Sequence, residues 1–338
     1  EVNVDGGTIG TTGKGGATWG NIYGGGKGKE QDVTAGLVKG NTNINISGSP
    51  TILHNVYGGG AYGSVGDFTY DGTTKMPTAL KTADTGACTV TIKGGTIGSN
   101  GQENGMVFGS SRGDVAAPGT DGVDPNDRMA WVYSTHVIIG DTNTETSPTI
   151  KGSVYGSGEN GHTLQNTIVD IKKGIVGITT GEPIGDYSGA AYPYRGNVYG
   201  GGCGTDTYWI DADGDGEVDE GEEHYNPLAG IVQGNATVNI TGGQVVHNLY
   251  GAGAMGSVGT ASDANSGKTT INISGGRIGH DGERNGNVFG AARGEYGIST
   301  VPSKNLANVR ETEVNINYAT TPAADNEGNT EQLIAGSV

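Results

Sequence analysis

Basic residues are scarce: 19 Lys and Arg stand against 36 Asp and Glu, a net charge of −17 over 338 residues. An acidic chain with no local run of Lys or Arg is repelled by nucleic acid and by anionic membrane surfaces, so neither is an expected partner. Cysteine is scarcer still, with only Cys88 and Cys203, which excludes a disulfide framework and a cysteine-rich zinc site. The two lie in repeat units that are not neighbours, and two steps of about 4.8 Å place them beyond disulfide reach, so both are expected as free thiols. No run approaches the roughly 18 apolar residues of a spanning helix, and direct membrane insertion is not expected. Around Glu1 the charged-then-apolar layout of a signal peptide is missing, so any export signal is expected to have been removed or to lie outside this sequence. Helical periodicity is absent throughout. Apolar residues make up only 33%, which together with the charge leans toward disorder on composition alone.

What is abundant argues the other way. Glycine supplies 67 residues, without the every-third spacing of collagen, and it marks a recurring phrase: a Val-x-Ile triplet, a glycine pair, an aliphatic residue, then an aliphatic-aromatic-glycine step. Val2 to Ile9 leads to Ile22-Tyr23-Gly24, and Val238 to Val245 leads to Leu249-Tyr250-Gly251. Seven units carry the aromatic step, at Tyr23, Tyr57, Phe108, Tyr155, Tyr199, Tyr250 and Phe289, and Leu333–Val338 repeats the Thr149–Val154 phrase that precedes Tyr155. One such unit cannot bury its apolar face alone and needs copies stacked above and below. Val-x-Ile alternation with β-branched residues suits short strands, and stacking like over like predicts a ladder of rings, largely buried.

The expected fold is therefore all-β, a parallel β-solenoid (β-helix) of about eight units, with a string of separate small β-domains as the alternative. A longer period overlies the unit: Ile92–Gly113 is echoed by Ile273–Gly294, and His54-Asn55-Val56-Tyr57 by His247-Asn248-Leu249-Tyr250. The array 1–338 thus divides into a duplicated four-unit block, 1–160 and 161–338. Strand pattern already at Val2, with no polar cap before it, makes a segment of a longer array the expectation.

The Val-Tyr-Gly-Gly-Gly phrase with its preceding Val-x-Ile-x-Gly-Gly resembles the glycine-rich repeat regions of large secreted surface proteins and adhesins of Bacteroidetes type. That resemblance implies an extracellular or cell-surface location, a structural or adhesive role, and glycan or host or bacterial surface protein as partner, with end-to-end self-association a further option. It carries no catalytic residue across.

One motif is sharp. Asp211, Asp213, Asp215, Glu217, Asp219 and Glu222 occupy positions 1, 3, 5, 7, 9 and 12 of a twelve-residue calcium loop, with Gly216 at the sharp turn and Val218 at position 8. Ca²⁺ needs six to eight hard oxygen ligands, and this spacing wraps them around one point: side chains of the three aspartates, the Glu217 carbonyl, Asp219 directly or through water, and Glu222 bidentately. The loop resembles those of EF-hands and dockerins, although its flanks, Thr207–Trp209 and His224–Pro227, do not look helical. Because Gly230–Asn235 matches Gly36–Asn41, the acidic stretch 207–227 is extra length where the first block has the shorter 27–35 connection. Calcium is expected to order a loop that the scaffold does not need.

Weaker signals have plainer readings. Arg112-Gly113-Asp114 spells an integrin-type tripeptide, but its counterpart Arg293-Gly294-Glu295 keeps only the charge pair, as a bend with a salt bridge would. His54 and His247 are too far apart to share a metal and are expected to face solvent or cap a turn. His136, His162, His224 and His280 make no ligand spacing with each other or with cysteine. Asp121, Asp124, Asn126 and Asp127 could hold a second cation but lack the glycine and glutamate of a full loop. Trp19, Trp131, Trp209, Tyr187, Tyr192 and Tyr194 are the aromatics expected to be exposed for contact with glycan or protein. The main rival function is a β-helix carbohydrate-active enzyme, a polysaccharide lyase or glycoside hydrolase, which needs paired carboxylates or a base beside a cationic cluster. No such cluster is visible among the scattered basic residues. An ice-binding face would need ranks of Thr-x-Thr, and Thr89-Val90-Thr91 has no regular successors.

Overall fold

A computed structural model describes residues 1–13, 18–29, 32–99, 104–113, 125–178, 195–204, 207–209, 219, 222–279, 285–294, 306–318 and 333–338. Among these there is no α-helix, and the chain coils through three large parallel sheets. The first wall holds eight strands, from Val2–Val4 through Thr42–Ile46, Ala87–Ile92, Ser134–Ile139, Thr167–Ile171, Ala236–Ile240 and Lys268–Ile273 to Glu311–Ile316, hydrogen-bonded in chain order. The second wall stacks eight two-residue strands from Thr8–Ile9 to Leu333–Ile334, and the third stacks seven from Ile22–Tyr23 to Val288–Phe289. A fourth side is thinner. There the parallel pair Trp131–Val132 and His162–Thr163 joins single bridges through Val38, Val65, Val232 and Val258.

Register is set by the hydrophobic pattern, because slipping one residue would turn every inward side chain out. Val90 lies between Ile44 and Val137, and Ile92 between Ile46 and Ile139. These residues, with the aliphatics of the second and third walls, form one continuous core cluster in which nearly every member is inaccessible to solvent. Each strand of the third wall sends its aliphatic residue into this core and its aromatic residue into a separate stack. Successive rings from Tyr23 to Phe289 lie 4.6–5.0 Å apart with interplanar angles of 7–16°. The ladder expected from the sequence is present. Its interior members are buried, whereas Phe289 at one end is 42% exposed.

The glycine after each ring lets the turns come this close. A Cβ on Gly58, Gly109, Gly156, Gly200 or Gly251 would strike the carbonyl oxygen of the corresponding glycine one turn on. These glycines also donate to the ring residue of the next turn, as Gly109 N–H does to the Tyr155 carbonyl at 3.0 Å. A buried threonine closes several turns from the first wall: Thr42 Oγ1 donates to the Gly58 carbonyl at 2.7 Å and Thr167 Oγ1 to that of Gly200 at 2.6 Å. Cys88 pairs in register with Thr42 and Thr135, so it fills a place where a small inward side chain is required. Neither cysteine is in a disulfide and both are buried, and burial pushes the Cys88 thiol up to about 12.

A second column stitches the turns from the side. The N–H at the start of each third-wall segment donates to a side chain of the turn before: Asn55 to Asn21, Met106 to Asn55, Ser153 to the Met106 sulfur, Asn197 to Ser153, Asn248 to Asn197, Asn287 to Asn248 and Ser337 to Asn287, all at 2.9–3.1 Å. Each link satisfies a backbone donor that would otherwise go unpaired beside the ring stack.

Connections alternate in length. Ile52 to Val56, Ile150 to Val154 and Val245 to Leu249 are tight, whereas the intervening turns throw out longer loops at the same place. Each longer loop is pinched at its neck by two glycines with positive φ, Gly10 with Gly20, Gly98 with Gly105, Gly177 with Gly196 and Gly279 with Gly286. Their Cα atoms approach too closely to admit a Cβ, so a loop of any length can leave without disturbing the stack.

Gly156→Ala should therefore destabilise the protein by at least about 1–3 kcal/mol, because backbone and not a flexible side chain blocks the new methyl. Ala307→Gly, at φ 55°, should be neutral or stabilise by up to about 1 kcal/mol. Urea unfolding of the two variants beside the parent measures both, and an undiminished Gly156→Ala would contradict the packing described.

Candidate acidic insert and its surroundings

Four loops leave the stack between the third wall and the fourth side, at 28–36, 113–130, 204–230 and 294–307. All four open on a glycine with φ between 66° and 74° (Gly28, Gly113, Gly204, Gly294) and close on Gly36, Ala130, Gly230 or Ala307 with φ between 55° and 66°. The acidic insert occupies the third of these equivalent places. It rises as an antiparallel hairpin of Thr207–Trp209 and Glu223–Tyr225, with Thr207 opposite Tyr225 and Trp209 opposite Glu223. The flanks of the acidic stretch are thus strands.

Of the six residues expected to ligate calcium, Asp211, Asp213, Asp215 and Glu217 lie outside the described residues. Asp219 is exposed and Glu222 is 7% exposed. Asp219 N–H donates to Glu222 Oε2 at 3.0 Å, and Glu222 N–H donates to the Asp219 carbonyl at 3.2 Å. Positions 9 and 12 of the motif are therefore side by side. Among the described residues no three His, Cys, Asp or Glu side chains gather as a metal site would require.

The base of the insert is tied to its neighbour. Asn226 is buried; its Nδ2 donates to Asp127 Oδ1 at 2.9 Å and its Oδ1 accepts from Leu228 N–H at 2.8 Å. Of the second acidic stretch, Asp121 and Asp124 lie outside the described residues, while Asp127 serves as this acceptor and also takes the Trp131 indole N–H on its carbonyl at 2.8 Å.

Trp131 corrects an expectation. It is not exposed: none of its surface reaches solvent, and it packs in one cluster with Phe68, Leu164 and Ile231 and lies 4.5 Å from the His162 ring. Its place on the fourth side packs it against Phe68 and Leu164 of other turns, which a single unit's sequence does not reveal. Trp19 is exposed as expected, at 59%. Tyr187, Tyr192 and Tyr194 lie outside the described residues, and for Trp209 only its strand is described. His54 and His247 do not project into solvent either. His54 is half-buried with Nδ1 2.5 Å from Asn21 Oδ1, and burial holds its pKa down, while His247 is buried beside the Gly177–Gly196 neck. Arg112 donates to the Tyr62 hydroxyl at 2.6 Å and lies 5.0 Å from that ring's centroid, and Asp114 is outside the described residues.

One polar cluster escaped the sequence. Tyr57 Oη donates to Glu159 Oε2 at 2.6 Å and accepts from Asn55 Nδ2 at 3.1 Å. Burial, reinforced by the Glu159 charge, drives the Tyr57 phenol well above its ordinary range. It is a fixed donor, suited to locking turns together and not to taking up a proton. The only sequence signal was Glu159 itself, where the equivalent turns have Ala61 and Ala254.

Beside the insert lies a cleft of about 510 Å³, lined largely by apolar atoms of Pro227, Leu228, Ile231, Val258 and Val309. Its cation, Arg310, donates to the carbonyls of Asp263, Ser266 and Thr260 at 2.5–3.0 Å, so the guanidinium is occupied in bracing the loop 260–266. Comparison with family models, with curated proteins and with solved structures gave no match.

Trp131→Ala is expected to cost about 3–5 kcal/mol, the range for emptying a large buried aromatic site, and Trp19→Ala less than about 0.5 kcal/mol, as for an exposed residue. Denaturant unfolding of the two variants checks this, and equal effects would contradict the placement of Trp131.

Proposed function

We propose that this chain is a non-enzymatic structural segment of an extracellular surface protein, built to space and display, with one inserted loop that takes up calcium. The observation that carries the structural part is the use made of its side chains. The interior is filled by an aliphatic cluster, a stack of rings and a smaller cluster around Trp131, and the asparagine, serine and threonine columns are used in turn-to-turn and within-turn hydrogen bonds. The array is counted as eight turns in a duplicated four-turn block, and the alternation of tight and long connections makes a pair of turns the smaller repeat. Glycan or a surface protein is the partner class that follows from a display role.

The calcium reading rests on the ligand pattern from Asp211 to Glu222, supported by the contact of Asp219 with Glu222. Loops of this type in extracellular modules bind at roughly 10⁻⁴ to 10⁻³ M, so millimolar calcium would fill the site. A loop leaving through the Gly204 and Gly230 necks is separable from the stack, so the ion should order the insert and leave the scaffold's stability unchanged.

Titration calorimetry should show one calcium site in the parent chain and none in Asp215→Ala with Glu222→Gln, while scanning calorimetry gives the same main unfolding transition for both. Binding that survives the double substitution would refute the site, and a large fall in the transition on chelation would refute the separable loop. Incubation with acidic and neutral polysaccharides should release no product. Cleavage abolished by changing a single carboxylate would replace the structural reading with a lyase or hydrolase.

A further inference from the structure

The turns that hold Thr42–Ile46 and Ala236–Ile240 cross the fourth side on one and the same hydrogen-bonding frame. Both run Gly-Ser-Val-Gly there, at 63–66 and 256–259. In each the serine Oγ accepts an N–H from the next turn, Ser64 from Trp131 and Ser257 from Asn308, both at 3.1 Å. The valine N–H donates to the carbonyl of that same residue, at 2.8 Å in Val65 and 2.9 Å in Val258, and the glycine after it donates to the turn before, Gly66 to Val38 and Gly259 to Val232, both at 2.7 Å. Position for position, Phe68 therefore corresponds to Ala261, Trp131 to Asn308 and Tyr133 to Arg310. In the first block the place beside this frame is full. Phe68 is 5% exposed, its ring lies 2.6 Å from where a Cβ on Gly66 would stand, and it packs in one cluster with Trp131, Leu164 and Ile231. In the second block the loop 260–266 carries no aromatic residue. Its equivalent place is the cleft of about 510 Å³, edged by Leu228 and Ile231 from the Phe68 cluster and by Val258, Ala261 and Val309.

We propose that this cleft is a docking site for an aromatic side chain carried on an extended segment of a partner protein, seated as Phe68 is seated in the first block. The chain itself shows what the frame takes: where it is filled, a phenyl ring arrives on the short strand Phe68–Tyr70 and lies over the second glycine. Asn308 and Arg310 in place of Trp131 and Tyr133 leave the second place wider, and about 510 Å³ falls within the range of binding sites, about 300–1,000 Å³. The chemistry of the lining asks for a neutral ring. Arg310 is its charged residue, and that guanidinium is held to the carbonyls of Thr260, Asp263 and Ser266 at 2.5–3.0 Å, which leaves apolar walls to meet the occupant. A glycan is disfavoured because no Trp, Tyr or Phe lines the cleft to stack on a sugar. The inference holds whether or not the chain is a surface segment and whether or not the insert takes calcium.

Methyl NMR of the 338-residue chain with the capped peptide Thr-Thr-Phe-Thr-Thr as probe should show ring-current shifts at Leu228, Ile231 and Val258, saturating with a dissociation constant of about 10⁻³ M. The same peptide with Ala for Phe should bind at least about tenfold more weakly, because the buried ring supplies the affinity. Ala261→Phe, which puts a ring of the chain's own in the place, should weaken the Phe peptide at least about tenfold and leave the melting temperature unchanged or higher. No shift at those methyl groups, equal binding of the two peptides, or undiminished binding to Ala261→Phe would overturn the proposal. A fall in melting temperature would overturn it too, by showing that the two places are not equivalent. Sedimentation equilibrium and a polysaccharide column test the other occupants: a dimer of the parent that Ala261→Phe dissolves would assign the cleft to a second copy, and retention by polysaccharide that Ala261→Phe loses would assign it to glycan, either of which replaces the partner segment.

Discussion

Everything in this fold depends on main chain meeting main chain at the spacing of a parallel sheet, turn after turn. That spacing, about 4.8 Å, leaves no room for a methyl group wherever it would point along the stack into the next turn. Hence Gly58, Gly109, Gly156, Gly200 and Gly251 line up behind the rings, each against the carbonyl of the next. The rings can stack at 4.6–5.0 Å only because the backbone beside them is allowed this approach. Aromatic contact adds to the burial, but glycine makes the contact possible.

The same constraint sorts the polar residues. A stack with little apolar material must still satisfy every backbone donor it buries, and it does so with short side chains that reach one turn and no further. The column from Asn21 to Ser337 accepts any residue with an acceptor at the right height, which is why a Met106 sulfur and a Ser153 hydroxyl stand in a line of asparagines. Variation is pushed to the necks. Paired glycines, or an alanine in the left-handed region, let the chain leave and return at one point, so the acidic hairpin after Gly204 and the short loop after Gly28 are alternatives at equivalent places.

Much of this could be read from the chain. Val-x-Ile alternation fixed which residues face inward, and the aromatic-glycine step fixed the ladder, because both depend only on a unit and its copy. What could not be read depends on which turn lies next to which. Asn55, Met106 and Ser153 share a column although they share no residue type. Trp131 looked like a loop aromatic, but it is the wedge between Phe68 and Leu164 on a fourth side that has almost no strand signal. The pairing of Tyr57 with Glu159 skips a turn, at a sequence distance of 102 residues, and only the coiled chain brings the two together. For the acidic insert, the spacing of the acidic residues is a matter of sequence alone, and the fold adds the hairpin at its base and the adjacency of Asp219 and Glu222.

Continuous stacking through the third wall is what makes the chain one scaffold. Native-state hydrogen exchange of the amides of Gly58, Gly109, Gly156, Gly200 and Gly251, each donating to the ring residue one turn on, tests it most directly. Stacking as one cooperative body predicts that these amides exchange together, at the free energy of global unfolding and far more slowly than the insert around Asp219. Exchange of any of them at the rate of the loops would show a break in the stack, and would contradict the description of the chain as one scaffold.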